Sequence, residues 1–298
     1  MSQLESVTDP GLKTIFDKFA DVEILEKYRL PFLQRRIDRR MRSKGIRSYA
    51  DYAKVLVTDP TEYQALISEI SITVTEFFRD MNLFETLRSK IMPSILFQDN
   101  IGGSGQQEAR VWSAGCATGE EPYSTAIVAK ELMSKPGINT KTKELFVIAT
   151  DLNPNSIKIA NLGNYEESSL KKISAELKVK YFSEVICCRR HQQQSCTSCS
   201  SSGKSKFYHL DKKIRDMVTF EVGDIAKISP KAEDFDLILC RNVMIYFEKE
   251  SREKLLRKFY DALKPKGYFV IGQSEVIMGS LFSLFRPVFS KERIYQKI

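Results

Sequence analysis

The stretch Ala109–Lys130, ARVWSAGCATGEEPYSTAIVAK, decides the fold. It reads as a buried strand over Val111–Ala114, a tight glycine turn and an amphipathic helix. Gly115 and Gly119 stand four residues apart in the turn, where glycine permits positive φ and a close approach of ligand to backbone. The helix that follows aims its unpaired N–H groups and the positive end of its dipole back at the turn. Glu120 and Glu121 ride on its first turn. Pro122 fits there because its missing N–H had no helical partner to lose. Strand, glycine turn and helix in this order make the ligand crevice of a doubly wound α/β sheet.

The spacing is GxxxG rather than the GxGxxG of dinucleotide folds, and no Lys–Ser/Thr follows to make a P-loop. The acidic pair repels phosphate. A cationic or amine-bearing ligand suits the turn, and S-adenosylmethionine carries both an ammonium and a sulfonium. The plainer alternative is a helix N-terminus that favours Glu for its dipole.

Outward from this stretch the chain divides. From Arg110 onward strands and helices alternate, the pattern of a parallel sheet. Leu145–Thr150 is a fully buried strand. Asp151 follows it, then Asn153 and Pro154 as N-cap and first residue of the next helix. An acid at the end of the second strand is where this architecture grips ribose hydroxyls. Met217–Val222 ends in Gly223–Asp224, and Phe235–Cys240 ends in Arg241–Asn242. Arg252–Leu263 reads as a helix, Gly267–Gly272 as a strand and Pro287–Lys297 as a closing strand or hairpin. Residues 1–92 read as helical. Helices over Tyr49–Leu56 and Thr61–Ser71 break at Asp59–Pro60, and Leu83–Leu96 runs as a helix into a polar loop at Gln98–Gly105. Between them, Ile72, Val74, Phe77 and Phe78 read as core, interleaved with polar Thr73, Thr75 and Arg79.

A chain of 298 residues is long enough for about two domains. Its 42% hydrophobic content is ordinary for a globular protein, and no run approaches the ~18 apolar residues of a membrane span. The N-terminal MSQLESVTDP lacks a signal-peptide pattern, so the expected location is the cytoplasm. The net charge of +8 is concentrated. Residues 26–50 hold nine cations against Glu26 and Asp38, which accounts for +7 of it. On the helical pattern there, Leu33, Ile37 and Met41 share one face. Arg35, Arg39 and Arg42 fall opposite, with Arg36 and Arg40 beside them. Arginine pairs carboxylates in a bidentate way, so this face suits an acidic partner. Without interleaved aromatics or a recognisable motif, nucleic acid is not the expected one.

Six cysteines without an export signal point to thiols or metal ligands rather than disulfides. Residues 183–210 break the strand–helix rhythm. Cys196 and Cys199 form a CxxC pair that Cys187 or Cys188 with His191 would complete to a four-ligand zinc site. The same residues also read as a hairpin tip with incidental cysteines. Cys116 and Cys240 read as small residues beside buried strands.

Six stretches together resemble the chemotaxis receptor methyltransferases, the CheR family. They are RLPFLQRRIDRRMRSKGI at 29–46, ITVTEFFRD at 72–80, VWSAGCATGEEPYS at 111–124, ATDLNPNSIKIA at 149–160, FDLILCRNVMIYF at 235–247 and ALKPKGYFVIGQSE at 262–275. The resemblance implies a Rossmann-like S-adenosylmethionine-dependent methyltransferase of α/β class. It implies an N-terminal all-helical receptor-recognition domain over 1–92, a linker over 93–105 and a methyltransferase domain over 106–298. A small β-subdomain would be inserted at 183–216. It also implies methyl transfer to glutamates of chemoreceptor methylation helices, with S-adenosylhomocysteine as product, by a monomer that neither binds nucleic acid nor inserts in the membrane. Thr73, Thr75 and Arg79 line the cleft by this resemblance, with Thr73 where relatives commonly carry Asn. Gly115 and Glu121 meet the methionine end of the donor, Asp151 the ribose, Asp224 and Ile225 the adenine, and Arg241 and Asn242 close the strand end. Arg79 and Tyr246 become the catalytic pair, and Arg35, Arg39 and Arg42 the receptor-docking face. The Cys188, His191, Cys196 and Cys199 cluster departs from the family pattern. A methyltransferase acting on nucleic acid or a small molecule is the enzymatic rival; Arg241-Asn-Val-Met lacks the [DNS]PP[YF] motif of DNA amino-methyltransferases. A non-catalytic cofactor-sensing or scaffold module is the other.

Overall fold

A computed structural model describes residues 7–19, 27–71, 74–97, 108–135, 142–188, 204–228, 230, 233–277 and 279–298. Thr73, His191, Cys196, Cys199 and the Gln98–Gly105 loop lie outside these residues. The chain forms two compact units, Met1–Ile72 with Asn242–Lys258, and Thr73–Arg241 with Phe259–Ile298.

The first unit is helical: α1 is Pro10–Phe19, α2 Leu30–Lys44, α3 Tyr49–Thr58 and α4 Pro60–Ile70. Each boundary has a local cause. Ser48 caps α3 through the N–H of Asp51. Asp59 caps α4 through the N–H groups of Thr61 and Glu62, with Pro60 in the first turn. Gly45 ends α2 in the left-handed region at φ 70°. Phe32, Leu33, Ile37 and Met41 of α2 are buried, as the periodicity predicts. On its polar side, Arg40 makes a bidentate pair with the buried Glu62 at 2.9 and 2.7 Å, and Tyr52 donates to the same carboxylate at 2.8 Å. Burial pushes the Tyr52 phenol up.

The second unit is built on a seven-stranded sheet in the order β6-β2-β1-β7-β8-β10-β9. Its strands are β1 Glu108–Ala114, β2 Glu144–Asp151, β6 Val218–Val222, β7 Phe235–Cys240, β8 Leu263–Ile271, β9 Phe285–Phe289 and β10 Ile294–Lys297. The first five in spatial order run parallel, and β10 and β9 close the edge antiparallel as a hairpin. β1 lies between β2 and β7, so the strand order reverses there. The crevice beyond the carboxyl ends of β1 and β7 is the switch point of a doubly wound sheet. A separate antiparallel sheet pairs β3 (Asn164–Tyr165), β5 (Lys204–Leu210) and β4 (Phe182–Cys188) in the order β3-β5-β4. The backbone of Cys188 closes β4, but its side chain lies outside the described residues.

Trp112 of β1 is fully buried, with Phe235 at 5.5 Å and Phe259 at 5.2 Å between ring centroids. Its indole N–H donates to Thr150 Oγ1 at 3.0 Å, which satisfies the polar edge of a buried ring. The helix after the glycine turn, Glu120–Met133, corrects the amphipathic expectation. Pro122 through Ala129 are all buried. The cause is cover on both sides. One side lies on the sheet. The other lies under the helical stretch Met81–Thr86, the π-helical turn Leu87–Ile91 and the helix Met92–Leu96, which bury Leu83, Phe84, Leu87, Ile91 and Leu96 in the same core. A helix enclosed in this way loses its polar face. No helix among the described residues is long and apolar enough to cross a membrane.

Candidate active site

The glycine turn is pinned to the end of β2. The N–H groups of Gly115 and Cys116 both donate to the Thr150 carbonyl, at 2.8 and 3.0 Å. Gly115 and Gly119 have φ of 84° and 95°, as the turn requires. Gly119 is also sterically committed. A Cβ there would stand 2.9 Å from the Ala160 Cβ and 3.0 Å from the Phe220 ring. Ala117, at φ 48°, takes a left-handed conformation that its N–H bond to Asp151 Oδ2 (2.8 Å) helps to hold. Asp151 Oδ1 accepts from Asn153 N–H at 2.8 Å. Asp151 is buried, and burial raises its carboxyl despite these two amides. Each of its oxygens keeps a further lone pair for a hydroxyl. The Asp151 carbonyl accepts from Gly223 N–H at 2.9 Å, so Asp224 begins at the neighbouring strand end. Asp224 Oδ1 accepts from Ala226 N–H at 2.9 Å, and Ile225 is buried.

The two glutamates of the turn part company. Glu120 is buried and accepts from Thr118 Oγ1 at 2.7 Å. Burial pushes its carboxyl up to about 7. Glu121 is only partly covered. Ser113 Oγ donates to its Oε1 at 2.8 Å, and Arg241 Nη1 donates to its Oε2 at 3.0 Å. Arg241 is buried, and its Nη2 donates both to Asp80 and to the Arg79 carbonyl, the latter at 3.2 Å. Arg241 Nε is buried and has no hydrogen-bond partner among the described residues.

The segment Val74–Asp80 is not helical. Its order comes from side chains. Phe77 is buried edge-on to Tyr165 and Phe182, at 4.8 and 5.3 Å, and its N–H donates to the Ser169 carbonyl. The Phe78 N–H donates to Ser124 Oγ, which in turn donates to the Glu120 carbonyl at 2.6 Å. Phe78 and Asp80 sit at φ 53° and 66°. Arg79 is half-buried, and its Nη1 donates to the Val74 carbonyl at 2.9 Å. Thr75 is half-buried beside it in sequence.

The second unit thus holds Gly115, Glu121, Asp151, Asp224, Ile225, Arg241, Arg79 and Thr75 of the residues expected from sequence. Asn242 and Tyr246 fold with the first unit. Tyr246 is half-buried and stacks on Phe32 at 4.7 Å, and its carbonyl accepts from Arg29 N–H. Within α2, Arg39 pairs with Glu69 at 3.0 Å, whereas Arg35 and Arg42 are exposed and make no ion pair among the described residues. Among the described residues no group of three or more His, Cys, Asp or Glu is placed to hold a metal. Cys116 and Cys240 are buried free thiols that burial pushes up, away from reactivity. Sequence reasoning passed over Ser113 and Asp80. Their signal was position: a hydroxyl near the end of β1, and a carboxylate that follows Arg79 in sequence.

A parallel sheet with an acid-lined glycine turn at its switch point defines the class of S-adenosylmethionine-dependent methyltransferases. The donor set agrees. Carboxylates at three adjacent positions suit an amine and hydroxyls, and the unpartnered Arg241 Nε leaves a donor for an acceptor atom. Residues 73–294 match the family described as "CheR methyltransferase, SAM binding domain", and residues 25–71 match "CheR methyltransferase, all-alpha domain". The chain belongs to the CheR methyltransferase family. The "Chemotaxis protein methyltransferase" of Borreliella burgdorferi is 31% identical over 90% of this chain and 87% of its own. The "Probable chemotaxis protein methyltransferase" of Rhizobium etli is 30% identical over 84% and 85%. Among solved structures, a TehB-like methyltransferase from Corynebacterium glutamicum aligns over 65% of this chain and 80% of its own, at 16% identity and a TM-score of 0.34.

Proposed function

We propose that the protein transfers methyl groups from S-adenosylmethionine to glutamate side chains of membrane chemoreceptors, giving methyl esters that serve chemotactic adaptation. The observation that carries this reading is Glu121, a partly covered carboxylate held at the switch point by Ser113 and Arg241. Glu121 takes the amine of the donor, Asp151 its ribose and Asp224 with Ile225 its adenine. Bound there, S-adenosylmethionine supplies an electrophilic methyl on a sulfonium that leaves as a neutral thioether.

The chain has little proton chemistry to do. A substrate glutamate, with a pKa of about 4.3, is already ionised at neutral pH and needs no general base. The work is orientation, with reacting atoms held at about 3–3.5 Å. Arg79 takes the role of holding the substrate carboxylate and Tyr246 that of directing it. The exposed Arg35, Arg39 and Arg42 dock the acidic methylation helix of the receptor. The protein works as a cytoplasmic monomer.

The test is incubation of the protein with labelled donor and receptor cytoplasmic fragments. Label on protein that base releases as methanol supports the reading. Label on nucleic acid, or no transfer despite donor binding, overturns it, the latter in favour of a cofactor-sensing module.

A further inference from the structure

Two carboxylates share the one guanidinium of Arg241, whose side chain is 3% exposed. Nη1 serves Glu121, and Nη2 serves Asp80 and the Arg79 carbonyl. The triad therefore carries one surplus negative charge. Its two ends differ. The Asp80 side chain is 35% exposed, and the Glu121 side chain is 13% exposed. A negative charge is least well solvated at Glu121, where a cation gains most by approaching.

We propose that Asp80 is a positioning residue for donor binding: by occupying half of Arg241, it keeps the charge of Glu121 available for the amine of the donor. The proposal rests on the reading of Glu121 given above. Without the Asp80 charge, Arg241 and Glu121 neutralise one another, and an incoming amine meets a pair with no net charge. The same bonds tie the site to the Arg79 backbone, so the residue next to Arg79 sets the electrostatics at the far end of Arg241.

Asp80 takes the left-handed region, at φ 66° and ψ 74°. Asparagine tolerates that conformation as well as aspartate does, so Asp80→Asn removes charge without forcing the backbone. The experiment is calorimetric titration of the full chain with two ligands. S-adenosylhomocysteine carries the amino-acid amine. 5′-Methylthioadenosine shares the nucleoside and thioether but lacks the amino-acid end, α-amine and carboxylate together. Asp80→Asn is expected to bind the first on the order of tenfold more weakly and the second within about twofold of the parent. Asp80→Glu, which keeps the charge, leaves both within about twofold. Glu121→Gln shows the same selective loss as Asp80→Asn. If Glu121→Gln loses the amine-bearing ligand selectively while Asp80→Asn loses both equally, or neither, the role of Asp80 is refuted and that of Glu121 stands. If Glu121→Gln shows no selectivity, the reading of Glu121 is itself refuted, and the proposal with it.

Discussion

Glu120 and Glu121 are adjacent, chemically identical and electrostatically opposite. Glu121 finds a cation and stays partly open to solvent. Glu120 is buried beside hydroxyls and its own backbone amide with no cation to hold it, among the described residues, and burial pushes its carboxyl up to about 7 from the ordinary 4.5. A carboxyl raised in the folded state binds more protons folded than unfolded between those values, so stability is fully present below about 4.5 and declines as pH rises through about 7. Denaturant unfolding followed from pH 4.5 to 8 should show this decline, bounded by about 3 kcal/mol, and Glu120→Gln should flatten it. An unchanged slope in the variant would mean Glu120 is ionised in the folded protein. Arg79 poses a different question at the same scale, because among the described residues its side chain bonds to the carbonyl of Val74, within its own segment. Arg79→Ala should depress turnover by about a hundredfold or more, with the donor dissociation constant nearly kept, read by single-turnover methylation beside calorimetry. Parent-level turnover would remove Arg79 from the mechanism.

The glycine turn shows how an element's shape limits its chemistry. Gly119 combines a φ of 95° with neighbours that leave no room for a Cβ. Gly119→Ala should cost at least ~2 kcal/mol of stability from backbone strain and displaced packing. A thermal midpoint equal to that of the parent would contradict the geometry. In the helical unit, α2 carries two kinds of arginine. Arg40 is committed to the buried Glu62, and Arg36 to Glu69. Arg35 and Arg42 face solvent. Reversing both, Arg35→Glu with Arg42→Glu, should lower receptor methylation by tenfold or more while donor affinity holds within about twofold. Reversing Arg40 should destabilise the unit instead, because it sets a second carboxylate against the buried Glu62, which keeps Lys44 at 3.2 Å and the Tyr52 hydroxyl as partners. Periodicity in the sequence located α2 and its buried face, but it did not say which arginines were already paired. That depends on Glu62 and Glu69, more than twenty residues away. Much the same holds for Leu83–Leu96. Its apolar spacing announces a helix, yet not that it packs on the helix after Gly119, which is why that helix has no polar side. The strand ends were legible because ligand chemistry puts polar residues there. The bond from Asp80 to Arg241 crosses about 160 positions, and no local pattern announces it.

At the scale of the whole chain, charge is segregated along the sequence. Nearly all of the +8 net charge lies in residues 26–50, whereas the glycine turn and neighbouring strand ends present carboxylates. Under the proposed function, an acidic receptor helix and a cationic donor call on oppositely charged parts of the chain. Salt separates them. Interactions among exposed arginines and a receptor helix are screened beyond a Debye length of about 10 Å at 0.1 M and about 3 Å at 1 M. Glu121 and Arg241, by contrast, are largely withdrawn from solvent, where screening is weak. Raising sodium chloride from 0.05 to 0.5 M should then lower kcat/KM for a receptor fragment by tenfold or more, mainly through KM for the fragment. The donor dissociation constant should move by no more than about threefold. The Arg35→Glu, Arg42→Glu variant should lose most of that salt slope, since the charges that salt screens are gone. A slope that survives in the variant would place the receptor contact on a different surface of the protein.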